Sequence, residues 1–228
     1  MTSKAENLAK YIDHTLLKPT VIASQIEDLC TEARIHKFAA VCVPPPFVKL
    51  AKQQLNLPAD PKVATVIGFP FGYSAIEAKL AEVVLAMVDG ADELDMVINY
   101  TAIKNKDWEY VANEINHLLT VVHGKKKILK VIIESGVLTD EEIIKCCEIY
   151  GTAGVDFMKT STGYAEKHAT VEAVQLMRKH LPAHVQIKAS GGIRTQEFAH
   201  QLTEAGATRL GTSSGLALIS EKEGNSNY

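Results

Sequence analysis

The stretch GVDFMKTSTG, residues 154–163, sets a lysine inside a segment that otherwise predicts a buried strand. Val155, Phe157 and Met158 are typical of a strand in a protein core. Lys159 follows them directly, although a buried ammonium group is costly unless it is paired. The reason for its presence depends on the kind of strand to which it belongs, and that has to be read from the rest of the chain.

Short segments rich in β-forming residues recur along the whole sequence and alternate with segments of helical periodicity. The predicted strands are residues 12–17, 38–43, 62–68, 93–99, 128–134, 155–161, 185–191 and 208–214. Among the helical segments, residues 74–90 are predicted to begin at Ser74 as N-cap and to end at Gly90. Another begins at Thr139, whose hydroxyl and the acidic residues after it favour a helix start.

Eight strands joined by helix-length connections predict parallel strands with right-handed crossovers, and therefore a fold of the α/β class. The simplest such architecture is a (β/α)8 barrel, the TIM barrel, here with a short N-terminal helix. A doubly wound open sheet is the alternative, but no GxGxxG turn follows the first strand. Since no Ser/Gly/Pro-rich linker divides the chain, we expect one domain over residues 1–228, with residues 221–228 as a mobile C-terminal tail.

Strand side chains alternate between two faces, and in several predicted strands one face is polar. In residues 129–134 one face is wholly apolar, whereas the other carries Lys130 and Glu134. The polar face cannot meet the surrounding helices without burying unpaired charge, so we expect it to point into the barrel. These side chains lie toward the C-terminal ends of their strands, where barrel active sites form. The predicted interior set is Asp95, Lys130, Glu134, Lys159 and Lys188.

This charged interior has two interpretations, a salt-bridge network that closes the core or a reactive site. Lys159 and Lys188 lie on consecutive strands, whose backbones are about 5 Å apart. At an effective dielectric constant near 20, one ammonium at that distance disfavours the charge of the other by about 3 kcal/mol, or roughly two pKa units. A lysine with so low a pKa attacks carbonyl groups, and Asp95 and Glu134 can carry protons, which favours Schiff-base chemistry.

Bulk properties argue against several other functions. The formal net charge is −3, with no basic stripe beyond residues 125–127, so a nucleic-acid partner is not expected. The N-terminus lacks the apolar core of a signal peptide and no apolar run approaches a membrane span, so we expect no membrane partner and a cytoplasmic location. The four cysteines and eight histidines show no metal-ligand spacing, and neither a metal nor another cofactor is expected.

Eight motifs, in order along essentially the whole chain, resemble those of the deoxyribose-phosphate aldolases, a family of class I, Schiff-base-forming aldolases. The motifs are YIDHTLLKP (11–19), VCVPPPFV (41–48), VATVIGFPFG (63–72), GADELDMVINY (90–100), LKVIIES (129–135), FMKTSTGY (157–164), IKASGGIRT (187–195) and GTSSG (211–215). The resemblance implies the reversible cleavage of 2-deoxy-D-ribose 5-phosphate to acetaldehyde and D-glyceraldehyde 3-phosphate. The reaction of this family requires no metal, because the protonated imine polarises the substrate.

The resemblance also implies roles for individual residues. Lys159 would form the Schiff base, Lys188 would tune it and Asp95 would relay protons. Tyr228 is included among the supporting residues because some members use a C-terminal tyrosine in proton transfer. The residues to which we assign supporting roles are Asp13, Lys130, Glu134, Thr160 and Tyr228.

The phosphate group is expected at the loops that follow the seventh and eighth strands, where barrels commonly bind phosphate. Glycines in these loops let backbone N–H groups approach closely, and serines add donors. The expected phosphate-binding residues are Gly163, Gly191, Gly192, Arg194, Gly211, Ser213 and Ser214. Tyr164 stands where some members have a phosphate-facing lysine, so backbone dipoles are expected to hold the phosphate more than side-chain charge does.

Two alternatives remain open. Another class I aldolase of the same fold, such as a transaldolase-like or ketose-bisphosphate enzyme, would also use an interior lysine. A non-catalytic sugar-phosphate-binding barrel would keep the interior charges as structure. The expected partners are small-molecule sugar phosphate and aldehyde substrates, and a homodimer is compatible with the resemblance, although no apolar patch can be identified from the sequence.

Overall fold

The computed structural model describes residues 8–220 and confirms a closed barrel of eight parallel strands. Each strand pairs with the next one along the chain, and the eighth returns to pair with the first. The strands are β1 (Ile12–Thr15), β2 (Ala40–Val43), β3 (Lys62–Ile67), β4 (Glu93–Val97), β5 (Ile128–Ile132), β6 (Phe157–Lys159), β7 (Gln186–Ser190) and β8 (Arg209–Thr212). All eight lie within the segments predicted from the sequence.

Helices follow the strands and surround the barrel. They are α1 (Ala23–His36), α2 (Val48–Gln54), α3 (Ile76–Val88), α4 (Tyr100–Lys104), α5 (Trp108–Gly124), α6 (Asp140–Ala153), α7 (Val171–His180), α8 (Gln196–Glu204) and α9 (Gly215–Ser220). Two short 3₁₀ helices, Pro45–Phe47 and Ser135–Val137, follow β2 and β5. Within residues 8–220 no helix combines the length and the hydrophobicity that crossing a bilayer requires.

The predicted helix ends are right for α6 and wrong for α3. Thr139 caps α6, because its hydroxyl accepts from the backbone N–H of Glu142, whose carboxylate accepts from the N–H of Thr139 in return. Gly154 ends the same helix in the left-handed conformation, with φ of 80°. By contrast, the N-cap of α3 is Ala75 rather than Ser74, and it makes no side-chain capping bond.

The short N-terminal helix and the tail can be followed only in part. Leu8 and Ala9 are helical and buried immediately before β1, which agrees with the predicted helix as far as the described residues reach. Residues 1–7 and the predicted tail, residues 221–228, lie outside the part of the chain that the structure describes.

The main core lies between the outer face of the barrel and the helices. Leu94, Met96, Leu129, Val131 and Ile187 point from their strands into this layer and are fully buried. Burying an aliphatic side chain of this size contributes about 1.5–3 kcal/mol, so this layer supplies most of the driving force for folding. Because alternate residues are committed to this core, the residues between them must face the interior of the barrel.

Candidate active site

The alternation brings the predicted charged residues together inside the barrel. Asp95 on β4 pairs in register with Lys130 on β5, and Lys159 on β6 pairs with Lys188 on β7. All four residues are at most 3% exposed. The parity prediction is therefore confirmed for these four, and Asp13 on β1 joins them through a contact with Lys188.

Three carboxylates and three cations of the interior alternate in a closed cycle, which we call the charged ring. Its members are Asp13, Glu93, Asp95, Lys130, Lys188 and Arg209. Lys130 Nζ lies 2.7 Å from Asp95 Oδ1 and 2.5 Å from Glu93 Oε2. Lys188 Nζ lies 2.7 Å from Asp95 Oδ2 and also contacts the Asp13 carboxylate.

Arg209 completes the charged ring on the side away from Lys159. Its Nε lies 2.6 Å from Asp13 Oδ1, and its two terminal nitrogens lie 3.2 and 3.0 Å from the two oxygens of Glu93. The guanidinium therefore bridges β1 and β4 across the barrel interior. Every cation of the charged ring touches at least two carboxylates, and Lys130 has a third, longer contact of 3.8 Å with Asp13 Oδ2, so each buried positive charge is compensated on two sides or more.

Lys159 stands outside this balance. Its Nζ lies 2.8 Å from Asp95 Oδ2, the same oxygen that Lys188 contacts. Within residues 8–220 this is its one ion pair, whereas each cation of the charged ring has at least two. Lys159 and the three cations of the charged ring therefore share three carboxylates. Lys159 contacts a single carboxylate oxygen, and it shares that oxygen with Lys188.

The pKa values follow this arrangement. Burial alone would lower the pKa of Lys130 and Lys188, yet the surrounding carboxylates raise both above the ordinary lysine value. The pKa of Arg209 is raised for the same reason. Burial would likewise raise the pKa of Asp13 and Asp95, but the neighbouring cations hold both below the ordinary value for aspartate. These five groups are therefore held in their charged forms.

Lys159 is shifted in the opposite direction from the other lysines of the cluster. Burial is the largest cause of its lowered pKa, Asp95 opposes the shift, and the Lys188 ammonium adds to it. The sequence-based expectation attributed the shift to Lys188 alone. The structure corrects that account, because loss of water around the amine is the larger cause and the neighbouring cation is an addition to it.

Glu134 lies just beyond β5, above the charged ring and apart from it. Its backbone is left-handed, with φ of 50°, and its Oε2 accepts hydrogen bonds from the backbone N–H and the hydroxyl of Thr162. Burial raises the pKa of Glu134, against the effect of these two hydrogen bonds. Its second oxygen, Oε1, is buried and has no hydrogen-bond partner among the described residues. The group can therefore hold a proton near Lys159, as the sequence suggested.

Thr160 has a structural position rather than one in the charged cluster. Its hydroxyl donates to the backbone carbonyl of Ser190, 3.2 Å away, and accepts from the N–H of the same residue at 3.0 Å. These bonds continue the pairing of β6 and β7 beyond the end of β6. The supporting role that was expected for Thr160 remains a prediction, with strand alignment as its physical basis.

The predicted phosphate-binding residues lie in three places. Gly163 is in the loop after β6, Gly191, Gly192 and the exposed Arg194 are in the loop after β7, and Ser213 and Ser214 precede α9. Gly163, Gly191 and Gly192 all have φ between 73° and 90°, which favours glycine.

Gly211 falls inside the strand predicted for residues 208–214, although its expected phosphate contact belongs to a loop. It lies within β8 instead of in a loop, and a Cβ there would meet Ser190 Cβ at 2.9 Å and Lys188 Cε at 3.1 Å. The absent side chain makes room for the lysine, so packing explains this glycine. Its binding of phosphate stays a prediction.

Loops from opposite sides of the barrel meet at Tyr164. Its hydroxyl donates to the backbone carbonyl of Leu17 at 3.0 Å, and its ring packs edge-on against Phe69 with centroids 5.4 Å apart. Beneath them, Cys42, on β2, packs with small and apolar residues of β3, and burial raises the pKa of its thiol. The interior next to β2 and β3 is therefore apolar, in contrast to the charged remainder.

Two residues of the charged ring were left out of the predicted site residues: Glu93, although it lies on the polar face of its strand, and Arg209. Glu93 shares its parity with Asp95, two residues away on β4, and this signal was sufficient to place it inside. Arg209 shares its parity with Gly211 but opens a strand of four residues, which is too short for its alternation to be recognised. The remaining predicted residue, Tyr228, lies outside the described residues.

Comparison with known proteins identifies the family to which this architecture belongs. Residues 7–221 match the model of the DeoC/LacD family aldolases. The chain is a member of the DeoC/LacD aldolase family. Its sequence is 52% identical over 214 residues to the deoxyribose-phosphate aldolase of Thermococcus gammatolerans, which covers 93% of this chain and 95% of the relative.

Solved structures of aldolases superimpose over most of the chain. The aldolase QR15 has a TM-score of 0.88 at 40% identity and covers 94% of this chain and 95% of its own. A deoxyribose-phosphate aldolase from Aeropyrum pernix, described as having a unique tetrameric structure, has a TM-score of 0.87 at 30% identity, with coverage of 95% and 91%. The barrel and its closed strand order are therefore those of the aldolase family.

Proposed function

We propose that this protein is a deoxyribose-phosphate aldolase that cleaves 2-deoxy-D-ribose 5-phosphate reversibly, through a Schiff base on Lys159. The observation that carries the proposal is the charge count of the interior. Lys159 is the buried amine without a full share of carboxylate, and its pKa is lowered while those of Lys130 and Lys188 are raised. A buried amine that gives up its proton is the nucleophile that such chemistry requires.

The proposed reaction starts with attack of neutral Lys159 on the C1 aldehyde of the open-chain sugar phosphate. Loss of water gives a protonated imine, which withdraws electrons, so the C2–C3 bond breaks as the C3 hydroxyl loses its proton. The products at this stage are glyceraldehyde 3-phosphate and the enamine of acetaldehyde. Protonation of the enamine at C2 and hydrolysis by water then release acetaldehyde and restore the free amine.

Asp95 and Lys188 are placed to handle the protons of these steps. The low pKa of Asp95 keeps it ionised 2.8 Å from Lys159 Nζ, where it stabilises the cationic imine. Lys188 is held charged by Asp13 and Asp95, and it contacts the same oxygen of Asp95 as Lys159 does. It is therefore a candidate proton donor beside Lys159. Glu134, with a raised pKa and a free oxygen, is the second candidate donor.

The phosphate of the substrate is proposed to bind at the loops after β6, β7 and β8. Gly163, Gly191 and Gly192 have positive φ, and the absence of a side chain favours close approach of a phosphate to their backbone N–H groups, while Ser213 and Ser214 add donors. Arg194 is exposed at the same rim and adds the one positive charge of the predicted set. Tyr164 occupies the position of a lysine in some relatives, which is why we propose that backbone groups predominate.

Reductive trapping tests the proposal directly. Incubation with acetaldehyde and borohydride is expected to add one ethyl group to Lys159, identified by peptide mass spectrometry, and to abolish turnover. Dihydroxyacetone phosphate, the donor expected for a ketose-bisphosphate aldolase, should not be trapped. The matched control is Lys79, another buried lysine with a lowered pKa, which should remain unmodified. Equal trapping of both donors would favour the other class of aldolase, and no trapping would leave a non-catalytic barrel.

We further propose that one barrel domain accounts for the chain, and that it acts in the cytoplasm as a homodimer. The four cysteines are free and buried, as in proteins of a reducing compartment. Three apolar side chains of α3, Val84, Leu85 and Val88, are 46–77% exposed and offer a surface for a second copy. Light scattering of the purified protein measures the subunit number, and a monomeric mass at micromolar concentration would contradict the dimer.

A further inference from the structure

Two members of the charged ring, Glu93 and Arg209, have no role in the proposed chemistry. Each is the first residue of its strand, so both lie toward the N-terminal end of the barrel, on the side away from the loops. The Glu93 side chain is 2% exposed and that of Arg209 is 12% exposed. Neither side chain contacts Lys159, and their placement gives them no access to a substrate bound at the loops.

Glu93 and Arg209 form a specific, bidentate ion pair. The guanidinium meets the Glu93 carboxylate with two parallel hydrogen bonds of 3.2 and 3.0 Å and reaches Asp13 with a third of 2.6 Å. The ring of Phe157 lies beside both cations, with its centroid 5.8 Å from the guanidinium carbon of Arg209 and 6.0 Å from the ammonium of Lys130. The two cations share Glu93 Oε2, at 3.0 and 2.5 Å, and the ring covers one side of this contact.

We propose that Glu93 and Arg209 are positioning residues, which fix the charge balance of the barrel interior so that Lys159 is the amine left without a proton. The proposal rests on the proposed Schiff-base role of Lys159. Arg209 contacts both Asp13 and Glu93, and these two carboxylates in turn contact Lys188 and Lys130. Both oxygens of Asp95 are then occupied by ring cations, and a fourth positive charge is poorly compensated.

Other titratable groups around Lys159 do not supply that compensation. Asp95 on β4 and Lys188 on β7 face it directly, and both belong to the charged ring. Cys42 on β2 is held neutral, because burial raises its pKa. Glu134, after β5, interacts with Lys159 but has a raised pKa and is bound by Thr162. The number of charges in the ring is therefore the variable that a substitution can change.

The test changes that number in both directions and then restores it. Arg209→Gln leaves three carboxylates for two ring cations, so a charged Lys159 would restore the balance and its pKa should rise. The acid limb of the plot of kcat/KM against pH should then move to higher pH by about one pH unit. Glu93→Gln leaves an excess of cations, and the limb moves down by a similar amount. The double variant Glu93→Gln/Arg209→Gln balances again, and its limb should return close to that of the wild type.

Matched controls separate this effect from damage to the fold. Arg178→Gln removes a partly buried arginine that bonds the carbonyls of Leu181, Pro182 and Val185, and Glu114→Gln removes a buried carboxylate outside the barrel. In both controls the acid limb of kcat/KM should lie at the same pH as in the wild type, even if the variant is less stable. Arg209→Lys keeps the charge and should also keep the limb. Circular dichroism verifies that each variant is folded before its profile is measured.

Opposite shifts that cancel in the double variant would support the proposal, since a purely structural role cannot produce them. Shifts in one direction, or none, would overturn it. If a single variant does not fold, the double variant and Arg209→Lys carry the test, and a displaced limb in either also overturns it. The proposed function fails separately: if acetaldehyde and borohydride leave Lys159 of the wild type unmodified at every pH, the Schiff base is wrong, whatever the profiles show.

Discussion

Among residues 8–220, two lysines are buried and have a lowered pKa, but they lie in different surroundings. Lys79, on α3 outside the barrel, is fully buried with its Nζ 2.6 Å from Glu114 Oε1 and 2.8 Å from the carbonyl oxygen of Val97. Burial lowers its pKa, and the opposing carboxylate does not fully restore it. Lys159, inside the barrel, shares its one carboxylate with two further lysines.

The difference teaches that burial and a low pKa do not by themselves mark a reactive amine. Lys79 has a carboxylate of its own and a carbonyl, and it joins α3, the end of β4 and α5 in one closed contact. Lys159 lies inside the barrel, near the apolar residues of β2 and β3, and its partner Asp95 also contacts Lys130 and Lys188. An incomplete share of countercharge is what distinguishes the proposed nucleophile from the structural ion pair.

The strongest test of this distinction is Lys159→Leu. We expect kcat to fall on the order of 10⁴-fold or more, because no other group can form the imine. The free energy of unfolding should be unchanged or higher, since a poorly compensated cation has been removed while Asp95 keeps Lys130 and Lys188. Steady-state kinetics and urea denaturation measure the two effects. Persistent turnover would contradict the assignment of Lys159 as the residue that forms the imine.

The counterpart, Lys79→Met, should show the reverse pattern. Removing the amine leaves Glu114 buried without its partner, so the unfolding free energy is expected to fall by about 3–5 kcal/mol, while kcat stays within about threefold. The double variant Lys79→Met/Glu114→Leu should recover most of the stability. If Lys79→Met instead lost turnover while remaining folded, the two lysines would not differ in the way that the structure indicates.

A smaller effect on rate is expected for Lys188→Met. The Lys188 ammonium lowers the pKa of Lys159, so its removal raises that pKa and reduces the neutral fraction of the amine at pH 7. We expect kcat/KM at neutral pH to fall about 10²-fold, and the rate to recover partly as the pH is raised through the new pKa. The measurement is kcat/KM between about pH 6 and 10. An unchanged profile would show that burial alone tunes Lys159.

The barrel and the central residues of the site were predictable, because both depend on alternation within strands. Residues 129–134 and 185–191 show an apolar and a polar face, and the structure confirms that Lys130 and Lys188 point inward. Strand ends were less predictable, since Glu134 continues the alternation but adopts a left-handed backbone beyond β5. The pattern of side chains does not reveal where the backbone leaves the sheet.

Contacts between distant segments were beyond reach of the sequence. The pair of Lys79 and Glu114 joins two helices 35 residues apart, and an amphipathic pattern does not show which polar residue turns inward. The closure of the charged ring joins residues 196 positions apart. The sequence assigned Gly211 to phosphate binding and did not show that it makes space for the stem of Lys188, because that contact exists only once β7 and β8 are side by side.

The closure of the charged ring between the first and last strands has a consequence for the newly made protein. Asp13 emerges early from the ribosome, Lys159 follows, and Arg209 is added only when nearly the whole chain has been translated. The charge balance around Lys159 is complete only when β8 lies beside β1 and Arg209 reaches Asp13. The reactivity proposed for Lys159 therefore depends on the last strand to be translated as well as on its own strand.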